Sequence, residues 1–313
     1  MEYEKPRIEF YHQRTFSEKM NVTFEFIREN WKPLLKYSFY LITPICLIQS
    51  FAMNSFFSTS LGMSLNSEVE SAFGSSMYSI FANYGVMLLC MMIGTIIMTA
   101  FTYAMMQTYA TRENRLQDVN LNDFKGTLTK NIWKYIIIIF VMIIAFISMS
   151  FGLSFLTVIL SSAALLFTAF FFLVFIILLV PMIMIIPTYI FERDIIITNA
   201  IKKALNLGFT TFWSMLGFFI VLYIISFVIQ TLVAIPWFLT VVIGTTFSIA
   251  SESTMNQSII FKFAMYILGL IQSFGTYISM IIGLIGLAFQ YFHAREKVEG
   301  ITIESNISNF DEL

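Results

Sequence analysis

From Tyr135 to Phe191 the chain runs for 57 residues without one Asp, Glu, Lys or Arg. A single membrane-crossing helix needs about 20 apolar residues, so this stretch predicts two crossings joined by a tight turn near Ser161 and Ser162. Inside it, IIIIFVMIIAF (136 to 146) is β-branched enough to favour a strand in water. Hydrocarbon reverses that preference, because only a helix or a closed barrel satisfies its own backbone there. No period-2 alternation is visible, and the apolar runs exceed barrel-strand length.

The rest of the chain follows the same pattern. Charged residues make up 12% of it and hydrophobic residues 58%, against about 25% charged in soluble domains. Uncharged apolar runs predict an all-α polytopic membrane protein with six transmembrane helices, near 37–56, 79–108, 135–158, 164–189, 213–238 and 263–291. The expected organisation is a single integral membrane domain over 1–313, made of a cytoplasmic N-terminal segment (1–33), a six-span bundle (34–293) and a cytoplasmic tail (294–313). The first thirty residues lack the apolar core of a signal peptide. Stretches 54–76 and 245–258 are expected as polar, nearly uncharged loops.

Basic residues set the expected orientation. Seventeen of the eighteen fall in the N-terminal segment, the second and fourth connections and the tail, leaving Lys262 alone on the other side. The positive-inside rule then places both termini in the cytoplasm. A net charge of −1 with no concentrated basic face excludes a nucleic-acid partner as an expectation.

Amphipathic segments precede three of the spans. In TFSEKMNVTFEFIRENWKPL, Thr15 and Glu18 read as a capping box, with Phe16, Met20, Phe24, Ile27 and Trp31 on one face. In NLNDFKGTLTKNIWKY, Asn120 can cap, and Leu121, Phe124, Leu128 and Ile132 form the stripe. In ERDIIITNAIKKALNLGFTTFW, Asp194 can cap, Ile197, Ile201 and Ala204 or Leu205 form the stripe, and Gly208 suits a left-handed closing position. Trp31, Trp133 and Trp213 each head the next span, as interface anchors do. Three hairpins, each led by a cytoplasmic interfacial helix, is the predicted layout. Near the ends, RIEFYHQRT and VEGITIESN alternate as short strands would, and are expected to pair.

The stretches FSEKMNVTFEFIRENWKPLLK, ERDIIITNAIKKALNLGFTTFW and QYFHAREKVEG, with the hydropathy between them, resemble a family of bacterial six-span membrane proteins related to the membrane domain of glycerophosphodiester phosphodiesterases. In that family the phosphodiesterase activity belongs to a separate soluble barrel, which has no counterpart in this sequence. The resemblance implies a fold, and a bacterial inner-membrane location, without implying an activity.

Chemistry-bearing residues are sparse. His12 and His293 are the only histidines, and neither has the neighbouring His, Cys or acidic residues that a catalytic or metal site requires. Cys46 and Cys90 fall in apolar spans, as small buried hydrophobes. No catalytic residue, metal ligand or cofactor is predicted. Asn83, Gln230, Thr231 and Gln272 are the uncharged polar residues that could line a small cavity, although interhelical hydrogen bonding is their ordinary role. Gly275, Ser279 and Gly283 recur every four residues on the last span, predicting a close-packing face at which bulk at Gly283 is costly while Ile281 and Ile282 face lipid.

These readings rank a non-enzymatic membrane protein, accessory or scaffold to membrane or envelope partners, above a channel or transporter for an uncharged or lipid-like solute. A membrane enzyme ranks last. The expected partners are the lipid bilayer and either a membrane protein or a second copy of the chain.

Overall fold

The computed structural model describes residues 6–65, 70–160, 170, 174–175, 177–192, 194–251 and 258–301. Seven helices account for most of them: α1 (Phe16–Leu65), α2 (Glu70–Thr111), α3 (Leu121–Leu160), α4 (Ile185–Phe191), α5 (Ile197–Thr210), α6 (Phe212–Ser251) and α7 (Ile259–Glu299). Five of these are long and apolar enough to cross a membrane, and Ile177–Phe191 forms a shorter apolar helix. No strand occurs among the described residues. The paired-strand expectation fails in part on this ground: residues 6–15 are irregular and Val298 lies in the last turn of α7. Residues 302–313, which include Ile303, lie outside the described residues, as does the expected turn at Ser161 and Ser162.

A 40-residue helix is about 60 Å long, twice the thickness of a bilayer's hydrocarbon. The long helices therefore extend well past the spans read from sequence. The expected loop at 54–76 is instead largely helical, since α1 runs to Leu65 and α2 starts at Glu70. Likewise α6 carries the stretch from Thr245 as far as Ser251. Ser and Thr do not stop a helix here, because their hydroxyls bond back to the carbonyl of the preceding turn, as Thr59 does to Ser55 at 2.9 Å and Thr246 to Val242 at 2.8 Å.

The backbone departs from helical geometry between the amphipathic segment and the apolar run that follows at two of the three places, with matching angles. Asn30 (φ −115, ψ 17) interrupts α1, and Thr211 (φ −115, ψ 18) separates α5 from α6. At the first, Pro33 has no N–H to donate to residue 29, and the Asn30 amide donates to the Phe26 carbonyl at 2.9 Å. At the second, the Thr211 hydroxyl donates to Leu207 at 2.8 Å. At the third, α3 passes through Asn131, Ile132 and Trp133 as one helix.

The caps follow the sequence unevenly. The Thr15 amide donates to Glu18 Oε2 at 2.7 Å and the Glu18 amide to Thr15 Oγ1 at 3.4 Å, which is the reciprocal box. At α3 the roles are reversed, the Asp123 carboxylate accepting from the Asn120 amide at 2.8 Å. Asp194 does not cap α5: Ile196 holds that place, and Asp194 sits at φ 57, in the left-handed region that Asp tolerates better than most residues. Gly208 does not close the helix either. It lies within α5, where an added Cβ would come 2.5 Å from the Pro181 Cβ and 2.6 Å from its Cα.

The chain divides into two compact units. The first comprises Met1–Trp31, Ala100–Leu222 and Gly283–Leu313; the second comprises Lys32–Thr99 and Tyr223–Ile282. In the first unit α4 packs on α3 and α5, and the start of α1 encloses polar side chains beside the apolar Val22 and Phe26. Phe16, Phe24 and Trp31 are exposed while Lys19, Thr23, Phe26 and Asn30 are buried. In the second unit Met53, Trp237 and Val241 form a small core. The Trp237 indole there donates to Asn54 Oδ1 at 2.9 Å, and the Asn54 amide donates to the Met265 carbonyl at 3.2 Å.

Candidate functional site

The first unit gathers most of the described ionic contacts. Its irregular N-terminal segment is held by an aromatic cluster: the Phe10 ring lies 5.9 Å from Tyr109 and 5.0 Å from Phe292 in stacked geometry, and edge-on to Phe26 and Phe289. Arg7 donates to the Tyr109 carbonyl. The Arg14 amide donates to His293 Nδ1 at 3.0 Å. Burial lowers the Arg14 pKa, with Glu9 and Glu18 opposing that shift.

Glu192 at the end of α4 is the centre of an ionic knot. It pairs with Lys203 of α5 at 2.7 Å and with Arg295 of α7 at 3.6 Å, and accepts from the Tyr291 hydroxyl at 3.2 Å. Glu299 bridges the same two cations at 2.6 and 2.7 Å. Tyr11 joins through Arg295 at 3.3 Å; burial raises its pKa, and Arg295 pulls against that rise. A second knot joins Arg115 to Glu29 at 2.8 Å and Arg112 to Asp123 at 3.0 Å.

Lys134 of α3 has a different task. Its ammonium donates to the carbonyls of Tyr189 at 2.6 Å, Ile190 at 3.3 Å and Glu192 at 2.8 Å. These are groups left without intrahelical donors at the end of α4, where the helix dipole is negative. Beside it, Asn131 donates to Gln107 Oε1 at 2.9 Å, and Gln107 donates to the Ile190 carbonyl at 3.2 Å. Between the ends of α2 and α4 and the start of α3 lies a bowl of about 610 Å³, lined on one side by these polar groups and on the other by Phe10, Phe191 and Phe292. Sequence reading missed this bowl. Its residues come from five separate segments of the chain; Lys130 and Lys134 read from sequence only as basic residues among many, and Phe10 only as part of a strand.

Lys19 is the other departure. It is 0% exposed, and its ammonium donates to Gln290 Oε1 at 2.6 Å and Ser214 Oγ at 2.7 Å, with the Phe218 ring 5.1 Å away. Two neutral acceptors and a ring face hold this cation.

The residues singled out from sequence are distributed as follows. Trp31, Trp133 and Trp213 are 52, 65 and 81% exposed, whereas Trp237 is buried. In the second unit the Gln230 amide reaches Thr276 Oγ1 at 3.3 Å, and Thr276 in turn donates to the Gln272 carbonyl at 3.1 Å. The Gln272 side-chain oxygen is buried without a hydrogen bond. Asn83 and Thr231 instead bond to their own helices, at Ser79 and Phe227, each at 2.8 Å. Along α7, Gly275 makes a close approach, its missing Cβ falling 2.5 Å from Val233 Cγ1, and Ser279 is buried with its hydroxyl on the Thr276 carbonyl at 2.8 Å. A Cβ at Gly283 would meet nothing within 4 Å, and Ile281 is buried rather than lipid-facing. The other tight glycines of α7 are Gly269 against Ser50 and Gly286 against Leu222. Cys46 and Cys90 are buried free thiols. His12 is exposed, and no group of three or more His, Cys, Asp or Glu positioned for a metal occurs among the described residues.

No family model, no curated protein and no solved structure matches this chain.

Proposed function

We propose that this chain is a non-enzymatic, multi-pass protein of the bacterial inner membrane that acts as an accessory or scaffold for membrane or envelope partners. Five helices of crossing length support the membrane part. The shorter helix Ile177–Phe191 continues the uncharged run and would complete a sixth crossing. Six spans in three hairpins put both termini on the side of the basic residues, the cytoplasm. Membership of the six-span family related to the phosphodiesterase membrane domain belongs to the same proposal and rests on the three quoted stretches.

One observation carries the accessory role. The charged groups around the end of α4 are committed to one another or to backbone: Glu192 and Glu299 to Lys203 and Arg295, and Lys134 to three carbonyls. Groups held this way fix a surface in place, whereas general acid–base work needs one left within reach of a substrate proton. Affinity purification in mild detergent, with bound proteins identified, tests the reading. A stoichiometric membrane-protein partner or a second copy is expected; a chain recovered alone as a monomer would overturn it. Topology is tested separately: Ser67→Cys should react with an impermeant thiol reagent on intact cells and Asn199→Cys should not.

A channel or transporter for an uncharged solute is the second reading, favoured by the Gln230–Thr276–Gln272 contacts and the unpaired Gln272 oxygen in the second unit. Solute flux in proteoliposomes that is unchanged by Gln272→Leu would remove it.

A further inference from the structure

We infer that the bowl beside Lys134 and the apolar crevice that follows it along α3 form one binding site for an anionic phospholipid, with the phosphate in the bowl and an acyl chain in the crevice. The crevice has a volume of about 450 Å³, and among its walls are Tyr135, Ile138 and Met142 of α3 and Met182, Ile183 and Ile186 of the following apolar helix. The bowl takes Asn131 and Lys134 from α3 and Ile190 and Glu192 from beyond α4's middle. Asn131 and Tyr135, and Lys134 and Ile138, are each four residues apart, so each pair stacks on one face of the helix. The linings of the polar and the apolar cavity thus abut along α3 within a single turn.

Depth agrees with that order. Trp133, 65% exposed, marks the headgroup level at which an indole prefers to lie. Residues up to Lys134 then lie at headgroup depth and those from Tyr135 onward among acyl chains. Lys134 to Phe146 covers about 18 Å of helix, slightly more than one leaflet's half of a hydrocarbon core about 30 Å thick.

Charge selects the headgroup. Both carboxylates facing the bowl are engaged, Asp123 by Arg112 and Glu192 by Lys203 and Arg295. Lys130 lines the bowl with no ion-pair partner among the described residues. Positive charge is left in excess, and a phosphate diester complements it. Gly126 lines the same bowl, and a Cβ there would meet nothing within 4 Å, so side chains can be grown into the space without displacing a neighbour.

This inference rests on the membrane placement proposed above, and it is tested on the full chain after that placement is checked by membrane fractionation. Delipidated protein in mild detergent is given equal phosphatidylglycerol and phosphatidylcholine of the same chain length, and retained lipid is read by native mass spectrometry. Phosphatidylglycerol should be retained preferentially. Lys130→Glu should cut its retention about thirtyfold, the scale of losing one basic side chain and gaining an acid at a membrane surface. Gly126→Trp should abolish the preference by filling the bowl. Lys125→Glu, an exposed residue outside the bowl, makes the same charge change and should leave retention intact. Dihexanoyl phosphatidylglycerol and free glycerol phosphate should compete poorly, because neither fills the crevice. Equal retention of the two lipids by the membrane-inserted wild type, equal losses in Lys125→Glu and Lys130→Glu, or full displacement by glycerol phosphate would each overturn the proposal.

Discussion

Replacing Gly208 by alanine adds one methyl group at the closest backbone approach in the first unit. That methyl carbon would lie 2.5 Å from the Pro181 Cβ and 2.6 Å from its Cα, when carbon atoms rest at about 3.5–4.0 Å. Pro181 cannot rotate away, since one of the two atoms is backbone and the other is tied into a ring. The segment must retreat from α5 by roughly 1 Å, and overpacking of that kind costs about 1–3 kcal/mol. Alanine returns about 0.5–1 kcal/mol through its lower backbone entropy cost in a helix. The net expectation is a loss of about 1–2 kcal/mol. Gly217→Ala is the comparison: a Cβ there meets nothing within 4 Å, leaving only the gain. Cys46 and Cys90 are buried free thiols, so a thiol-reactive fluorogenic dye reports unfolding in detergent without added labels. A difference of about 2 kcal/mol between the two variants should separate their melting temperatures by roughly 4–8 °C. If Gly208→Ala melts with Gly217→Ala, at or above wild type, the close approach to Pro181 is not a constraint on the fold.

The same melting assay reads three further outcomes. Lys134→Met removes a charged donor from three carbonyls at the end of α4 and should lower stability by about 2–3 kcal/mol; an unchanged melt would mean that those carbonyls find other donors. Thr15→Ala removes the hydroxyl of the capping box and should cost about 1 kcal/mol, whereas Thr15→Ser should cost little. Gly275→Ala should lower the melting temperature by pressing on Val233 while Gly283→Ala should not, and equal tolerance would show that α6 and α7 can separate there without loss.

What could be read from sequence was local or statistical. The Thr15–Glu18 box needs only residues three apart. The long apolar helices follow from composition. What escaped was decided by residues far apart in the chain. Gly208 reads as a helix terminator until Pro181 is seen against it. Lys134 reads as one more basic residue in a linker until the end of α4 is brought beneath it. Phe10 suggested a strand, because alternation records only that every second residue is wanted inside. An aromatic plug meets that requirement as well as a sheet does. The small-residue register on α7 treats Gly275 and Gly283 alike, whereas only Gly275 lies close against Val233, because spacing alone does not say where along the helix the neighbour departs.

The polar side chains enclosed at the start of α1 bear on how this chain can change over generations. In a soluble helix the apolar positions resist substitution and the outward polar ones drift. Here Phe16, Phe24 and Trp31 face outward, and Lys19, Thr23 and Asn30 are enclosed with their hydrogen bonds made. Any apolar side chain serves at the outward positions, since lipid asks for little beyond hydrophobicity, whereas each enclosed polar group has a partner at a fixed distance. A saturation library of residues 16–31, selected for folded yield, should therefore retain Lys19, Thr23 and Asn30 together with the buried Val22 and Phe26, and randomise Phe16, Phe24 and Trp31.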